Sequence, residues 1–501
     1  MIGAGPVGLA AAAHLLARGL EPLVLEKGHS AGHAMLEWAH VRVFTPWQYI
    51  TDKAVVTLLE NTGWQHPAAE HLPTAGEIAI EYLIPAATTT ALKDTIVYDA
   101  EVMSVSKLGL SKSSSNGRDT APYTIHYKTS AGEEVVLQAS AVIDASGTWY
   151  SPNPIGTDGL PVPGEKANAA YITYGIPDVL DVERSTYEGK RTLVLGGGHS
   201  AINAALDLLT LRETSPDTKI FWGLRRNNLE RLLGGGINDK LPARGALGLA
   251  AKKAIDEGAL ALKAPFRVAQ IQKTDTGIQI NGVVGESPDS FEVDRIVVAA
   301  GFRPDLHMLR ELRLDIDDIV EAPSILAPMI DPNLHSCGTV PPHGVDELSH
   351  HDKNFFIVGM KAYGRAPTFL MLTGYEQVRS IADELAGNHE AAREIELVLP
   401  ETGVCSTQLG NANQSAQEQV QQAGAAACCG TGTQDVIAPA TITSLTAQSL
   451  SVIAETTASS DEDCCDPVSK AAAEAKHGIP CCGAGKKATE DATQEVSTGC
   501  C

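Results

Sequence analysis

Apolar positions along roughly the first 395 residues fall into short runs that alternate with longer, helix-like stretches. LAAAAHLLARG (residues 9–19) is apolar almost throughout and closes on Gly19, which predicts a buried helix with a glycine stop. PLVLE (22–26) is short and continuous, and predicts a buried strand. The order then repeats. TLVL (192–195) predicts a strand, SAINAALDLLT (200–210) a helix and TKIFWG (218–223) another strand. AVIDASG (141–147), VDRIVVAAG (293–301) and NFFIVG (354–359) each predict a strand that runs into glycine, and YEQVRSIADEL (375–385) predicts a closing helix. Strands alternating with helices predict the α/β class with parallel sheets. From about residue 406 the rhythm fades, and Ala, Gln, Ser, Thr and Gly dominate. Such a segment buries too little surface to order itself, so a flexible tail is predicted.

The glycines between strand and helix carry the chemistry. Gly3, Gly5 and Gly8 have G-x-G-x-x-G spacing: the first permits a tight turn, the second lets a pyrophosphate approach the backbone, and the third lets helix and strand pack closely. Glu26 ends the following strand about 20 residues on, where a carboxylate holds ribose hydroxyls. Only Met1 and Ile2 precede Gly3, so the first strand is expected to be truncated and to leave a gap in its sheet. In the second unit Gly196, Gly198 and Ala201 keep the spacing with alanine third. Its next strand ends in Arg225-Arg226, with Arg231 close behind, where a carboxylate would otherwise stand. Cations suit a 2′-phosphate, so this turn is expected to prefer NADPH, and Glu26 suits the free ribose of FAD.

The chain's 501 residues are too many for one core, and a prior of about 150 residues per domain suggests two or three. The net charge of −23 argues against nucleic acid and against an anionic membrane surface. There is no uncharged apolar run of about 18 residues and no basic leader, so a cytoplasmic protein is expected. Residues 1–336 contain no cysteine, whereas eight of the ten cysteines form four adjacent pairs in the last hundred residues.

These turns and strands together resemble the two-dinucleotide-domain flavoproteins, the flavin-containing monooxygenases and thioredoxin-reductase-like oxidoreductases. The likeness covers about residues 1–395. It implies two Rossmann-like domains, one inserted in the other: an FAD domain over 1–165 and 326–398, an NADPH domain over 166–325, and a Cys-pair tail over 399–501. The crossings are expected in GLPVPGEK (159–166) and EAPSILAPM (321–329). The resemblance places Gly147 at the close of the first FAD segment, Gly301 at the close of the NADPH insertion, and Gly359 at the end of the last FAD strand. It also implies that the following helix points its positive N-terminus at the flavin. Hydride from NADPH would reduce the flavin, and O₂ would then be activated toward a small soft substrate. Two departures stand out. No redox cysteine pair lies in residues 1–336, and the F-x-G-x-x-x-H pattern of monooxygenases is absent before the second turn. The combination with paired tail cysteines resembles arsenic-resistance-associated flavoproteins.

Arg42 and Trp47, in WAHVRVFTPWQY (38–49), are expected near the isoalloxazine, with a purely structural role for Trp47 equally open. Lys240 and Arg244 lie in a glycine-rich loop after the NADPH strand and read first as solvated. His350-His351 is a poor metal site, because adjacent side chains point apart, and Cys337 reads as an inert buried thiol. Cys428, Cys429, Cys464, Cys465, Cys481, Cys482, Cys500 and Cys501 are candidate ligands for a thiophilic ion such as As(III) or Hg(II). Three readings stay open: a monooxygenase-like enzyme, a reductase whose tail dithiols shuttle electrons or metal, and a thiol-rich metal-binding protein.

Overall fold

The computed structural model describes residues 1–226, 242–332, 334, 340–366 and 369–397. Two parallel sheets organise them. The first runs in the order Ile96–Val97, Val24–Leu25, Ile2, Val142–Asp144, Phe355–Ile357. The expected gap at its centre is absent. Leu25 donates to the Met1 carbonyl and Gly3 to that of Leu25, while on the other flank Ile2 donates to Ile143 and Ala145 to Ile2, all at 2.8–3.0 Å. Three residues are enough, because hydrogen bonds on both sides hold Ile2 between its neighbours. Helix Pro6–Ala17 starts directly after the turn, with Pro6 in its first turn, where no intrahelical N–H is needed. Its residues from Val7 to Leu15 are all buried, which explains an alanine-rich sequence that lacks a polar face. A three-stranded antiparallel sheet, Ala100–Lys107, Tyr123–Thr129 and Glu134–Ala139, is the other β layer of this half.

The second parallel sheet has the order Ala261–Lys263, Lys219–Gly223, Arg191–Leu195, Arg295–Val298, Ile172–Tyr174. Helices His199–Thr214 and Pro242–Asp256 pack in this half, which carries its own antiparallel sheet, Phe266–Lys273, Ile278–Val284 and Ser287–Val293. The pattern of apolar runs is therefore realised twice, each time with the turn at the carboxyl edge of a parallel sheet, where α/β folds bind ligands.

Packing moves the expected domain boundaries. Ile155 and Val162 lie in the same core as Leu193 and Val298, whereas Leu309, Leu312 and Leu326 lie in the core with Trp47 and Phe355. The chain passes between the halves on two short antiparallel segments. Asn153 N–H donates to Gly301 O at 2.9 Å and Arg303 N–H to Ser151 O at 3.0 Å. The crossings thus lie near 151–153 and 301–303 and not within 159–166 and 321–329. The proline- and glycine-rich segments expected to cross instead follow them in the chain, and Glu165 closes the first by accepting N–H groups of Ile155 and Val162 at 3.0 and 2.8 Å.

Candidate active site

At the first turn, Gly3 has φ +95°, and a Cβ there would lie 2.8 Å from Ala145 O. A Cβ on Gly8 would lie 2.0 Å from Gly3 O, so the helix can approach the turn only with glycine in place. A Cβ on Gly5 meets nothing within 4 Å. Two of the three glycines are thus needed for packing, and the middle one borders open space, as a pyrophosphate cradle requires. Gly5 is the N-cap and provides no side chain, and the first turn of Pro6–Ala17 holds no acid. Its backbone N–H groups and dipole are left for an anion. Glu26 accepts N–H from Ala4 at 2.6 Å and from Gly28 at 2.8 Å, one on each oxygen. Those bonds fix the carboxylate at the rim of the turn and leave lone pairs for ribose hydroxyls.

The second turn repeats the arrangement. Gly196 has φ +142°, and a Cβ there would lie 2.2 Å from Ala299 O; Gly198 caps helix His199–Thr214 with open space around its missing Cβ. Ala201 is buried and would meet that Gly196 Cβ at 3.3 Å, so alanine is tolerated third. Arg225 and Arg226 are exposed at the end of the strand, and no carboxylate among the described residues pairs with either. The residues present therefore fit FAD at the first turn and a 2′-phosphorylated nicotinamide nucleotide at the second. Between the turns, the rings of Phe44 and His199 meet edge to face at 5.4 Å. The first half thereby touches the helix start of the second.

Gly147 and Gly301 both take positive φ, +68° and +85°, at the ends of strands that enter the crossings. Trp149, two residues on, stacks at 5.0 Å on Phe302 and donates its indole N–H to Glu37 at 2.6 Å; the Tyr150 hydroxyl donates to the same carboxylate at 2.7 Å. Gly359, at φ +68°, ends the last strand, and its N–H donates to Gln377 Oε1 at 2.7 Å. Gln377 Nε2 donates to His343 Nε2 at 2.9 Å, and the other ring nitrogen then donates to Pro341 O. This fixes His343 as the neutral Nδ1–H tautomer, and burial pushes its pKa down. Helix Met371–Leu385 begins against the first turn: a Cβ on Gly374 would lie 2.6 Å from the Val7 side chain. It has no acid in its first turn and no side-chain cap. Its positive end therefore faces the same side of the sheet as the first turn.

Two sequence candidates are placed elsewhere. Trp47 has 0% exposure and packs on Tyr82 at 6.4 Å, so it is enclosed in the core and presents no face to a flavin. Arg42 is exposed, donates to Leu72 O and lies 3.8 Å from Glu77, a local anchor. His350 is buried and His351 exposed, so the adjacent rings diverge as expected. All ten cysteines lie outside the described residues: the candidate metal ligands Cys428, Cys429, Cys464, Cys465, Cys481, Cys482, Cys500 and Cys501, with Cys337 and Cys405. Arg231 and Lys240 also lie outside them. No group of His, Cys, Asp and Glu among the described residues is arranged to hold a metal, and none of their helices is long and apolar enough to cross a membrane.

Sequence reasoning missed a buried ion pair at the carboxyl edge of the first sheet. Lys361 Nζ lies 2.7 Å from Asp144 Oδ2 and 3.0 Å from Ser146 Oγ. A lysine two residues after Gly359, inside an otherwise apolar stretch, was the available signal.

The family model described as pyridine nucleotide-disulphide oxidoreductase matches residues 1–327. Among solved structures the chain is similar to the bacillithiol disulfide reductase Bdr (YpdA) from Bacillus cereus, at 18% identity and a TM-score of 0.56, over 77% of this chain and 98% of that one. It is also similar to DfoA, the cadaverine monooxygenase of desferrioxamine biosynthesis from Erwinia amylovora, solved with FAD bound, at 14% identity and a TM-score of 0.53, over 80% and 97%. L-lysine 6-monooxygenase from Pseudomonas syringae follows at 15% identity and a TM-score of 0.50, over 78% and 99%. At these identities the likeness shows a shared fold. A comparison with curated proteins finds no match.

Proposed function

The chain belongs to the pyridine nucleotide-disulphide oxidoreductase family, whose members use FAD and NAD(P)H, and from that premise we propose that it is an NADPH-dependent flavin monooxygenase acting on a small soft nucleophile. One observation carries the reading: two open glycine turns are retained while residues 1–327, the whole matched region, contain no cysteine. An electron path from NADPH to flavin is therefore provided for, and an internal disulfide to receive the electrons is not. Two of the fold neighbours are named as monooxygenases, which agrees with this choice.

The chain's residues divide the work. The N–H groups around Gly3 and Gly5 bind the FAD diphosphate, and Glu26 holds the adenosine ribose. The turn at Gly196–Gly198 binds the NADPH diphosphate, and Arg225 and Arg226 hold its 2′-phosphate. When bound, FAD supplies the two-electron carrier that accepts hydride from NADPH and passes the electron pair to O₂. The reaction balances as NADPH, H⁺, O₂ and a nucleophile giving NADP⁺, water and the oxygenated nucleophile. A second reading rests on the four cysteine pairs between residues 428 and 501: a reductase that passes electrons or a thiophilic ion through those dithiols. Oxygen uptake separates the two. The proposed monooxygenase consumes one O₂ per NADPH and stops under argon. Continued NADPH oxidation under argon, with thiols appearing in its place, would replace it with the reductase.

A further inference from the structure

Strands Val142–Asp144 and Phe355–Ile357 pair in parallel, with Asp144 opposite Ile357, so both end at the same edge of the first sheet. Just beyond that edge Lys361 meets Asp144, and both side chains are enclosed, at 1% and 0% exposure. Asp144 Oδ1 accepts the Ser146 N–H at 3.0 Å, and Lys361 also donates to the Ser146 hydroxyl. This cluster adjoins the first glycine turn. Asp144 bridges to Ile2, and a Cβ on Gly3 would lie 3.2 Å from Ser146 Cα.

A latch between chain segments 217 residues apart does not require charges. Buried ion pairs rarely stabilise more than an apolar pair of similar volume. Their position gives these charges a consequence. Asp144 stands one strand, about 4.8 Å, from the residue that leads into the anion cradle. An unpaired buried carboxylate there would oppose the helix dipole and N–H groups that attract a diphosphate, in a medium where charge is poorly screened. The ammonium cancels it.

We propose that Lys361 is a positioning residue for the FAD diphosphate: it neutralises Asp144 and so keeps the first turn attractive to an anion. This rests on the first turn being the FAD site. It predicts an asymmetry that a simple latch would not produce. Lys361→Met leaves a carboxylate beside the cradle, and Asp144→Asn leaves an ammonium. Both lose the same pair, but their effects on an anionic ligand are opposite in sign.

The test is FAD titration of apoprotein, followed by flavin fluorescence, for the wild type, Lys361→Met, Asp144→Asn and the double variant. Circular dichroism and thermal midpoint of each apoprotein check the fold. The expected result is a roughly 10- to 100-fold weaker Kd in Lys361→Met, tighter binding than wild type in Asp144→Asn, and recovery to within about threefold in the double variant. Equal weakening in both single variants would overturn the proposal and leave the pair a structural latch. If Lys361→Met does not fold, Asp144→Asn and the double variant decide: tighter binding in the single supports the proposal, and equal or weaker binding overturns it. Folded wild-type protein that binds no FAD would instead refute the assignment of the site, and the proposal with it.

Discussion

Replacing Arg225 and Arg226 with alanine is expected to change the cofactor preference of the second turn, by an amount that follows from the proposed 2′-phosphate contacts. Both side chains are exposed at the end of strand Lys219–Gly223 and its continuation through Leu224, and no carboxylate among the described residues competes for them. In the proposed site each makes a charge-assisted bond to a 2′-phosphate, of about 1.5–3 kcal/mol where solvent is excluded. Exposure and ionic screening reduce that to about 1–1.5 kcal/mol each. Together they contribute about 2–3 kcal/mol, or roughly 30- to 150-fold in affinity. NADH has no 2′-phosphate and loses none of this. The assay is the steady-state kcat/KM for flavin reduction with each nucleotide, at two salt concentrations. The double variant is expected to lower kcat/KM for NADPH by that factor, to change the NADH value by less than about threefold, and to flatten the salt dependence for NADPH. An equal fall for both nucleotides would refute the reasoning, because the arginines would then be acting on the fold or on the shared diphosphate.

Other predictions test other levels of the account. Gly8→Val forces side-chain atoms into the space where a Cβ already lies 2.0 Å from Gly3 O, so it should abolish flavin binding and lower the thermal midpoint, as read by flavin content and melting. Burial, with Asp178 nearby, pushes the Asp207 carboxyl up to about 6. A raised carboxylate pKa favours the protonated folded form, so its contribution is present below the ordinary value near 4 and is lost as pH rises to about 6. Asp207→Asn should therefore raise stability at neutral pH, by about 1–3 kcal/mol in urea unfolding, and should remove that slope between pH 4 and 6; an unchanged slope would contradict the assignment. A chain ending at Leu399 should keep its flavin and its NADPH-driven flavin reduction but lose As(III) or Hg(II) stoichiometry in metal titration, and equal metal binding would remove the cysteine pairs from consideration.

What could be read from the sequence was the local part of the site. Glycine spacing is a backbone requirement, and at Gly3, Gly8 and Gly196 the structure shows the contacts that demand it. Glu26, Arg225 and Arg226 could be placed at strand ends from the sequence, because those positions are countable along the chain. The misses are non-local. Trp47 stayed open between the two placements because an aromatic after a strand looks the same whether it faces a cleft or a core, and only packing on Tyr82 decides for the core. The crossings were misjudged because proline and glycine mark loops, whereas the actual crossings are a short ladder of two hydrogen bonds between residues far apart in the chain, Ser151 with Arg303 and Asn153 with Gly301. The pairs Lys361–Asp144 and Glu37–Trp149 are likewise invisible without the fold, since each joins residues more than a hundred positions apart.

The measurement that bears most directly on the central claim is the flavin content of the folded, full-length protein after incubation with FAD and gel filtration. The account predicts one FAD per chain, released unchanged on denaturation, whose oxidised absorbance is bleached by NADPH under argon and returns when air is admitted. A folded protein that retains no flavin, or whose bound flavin NADPH does not reduce, would contradict it.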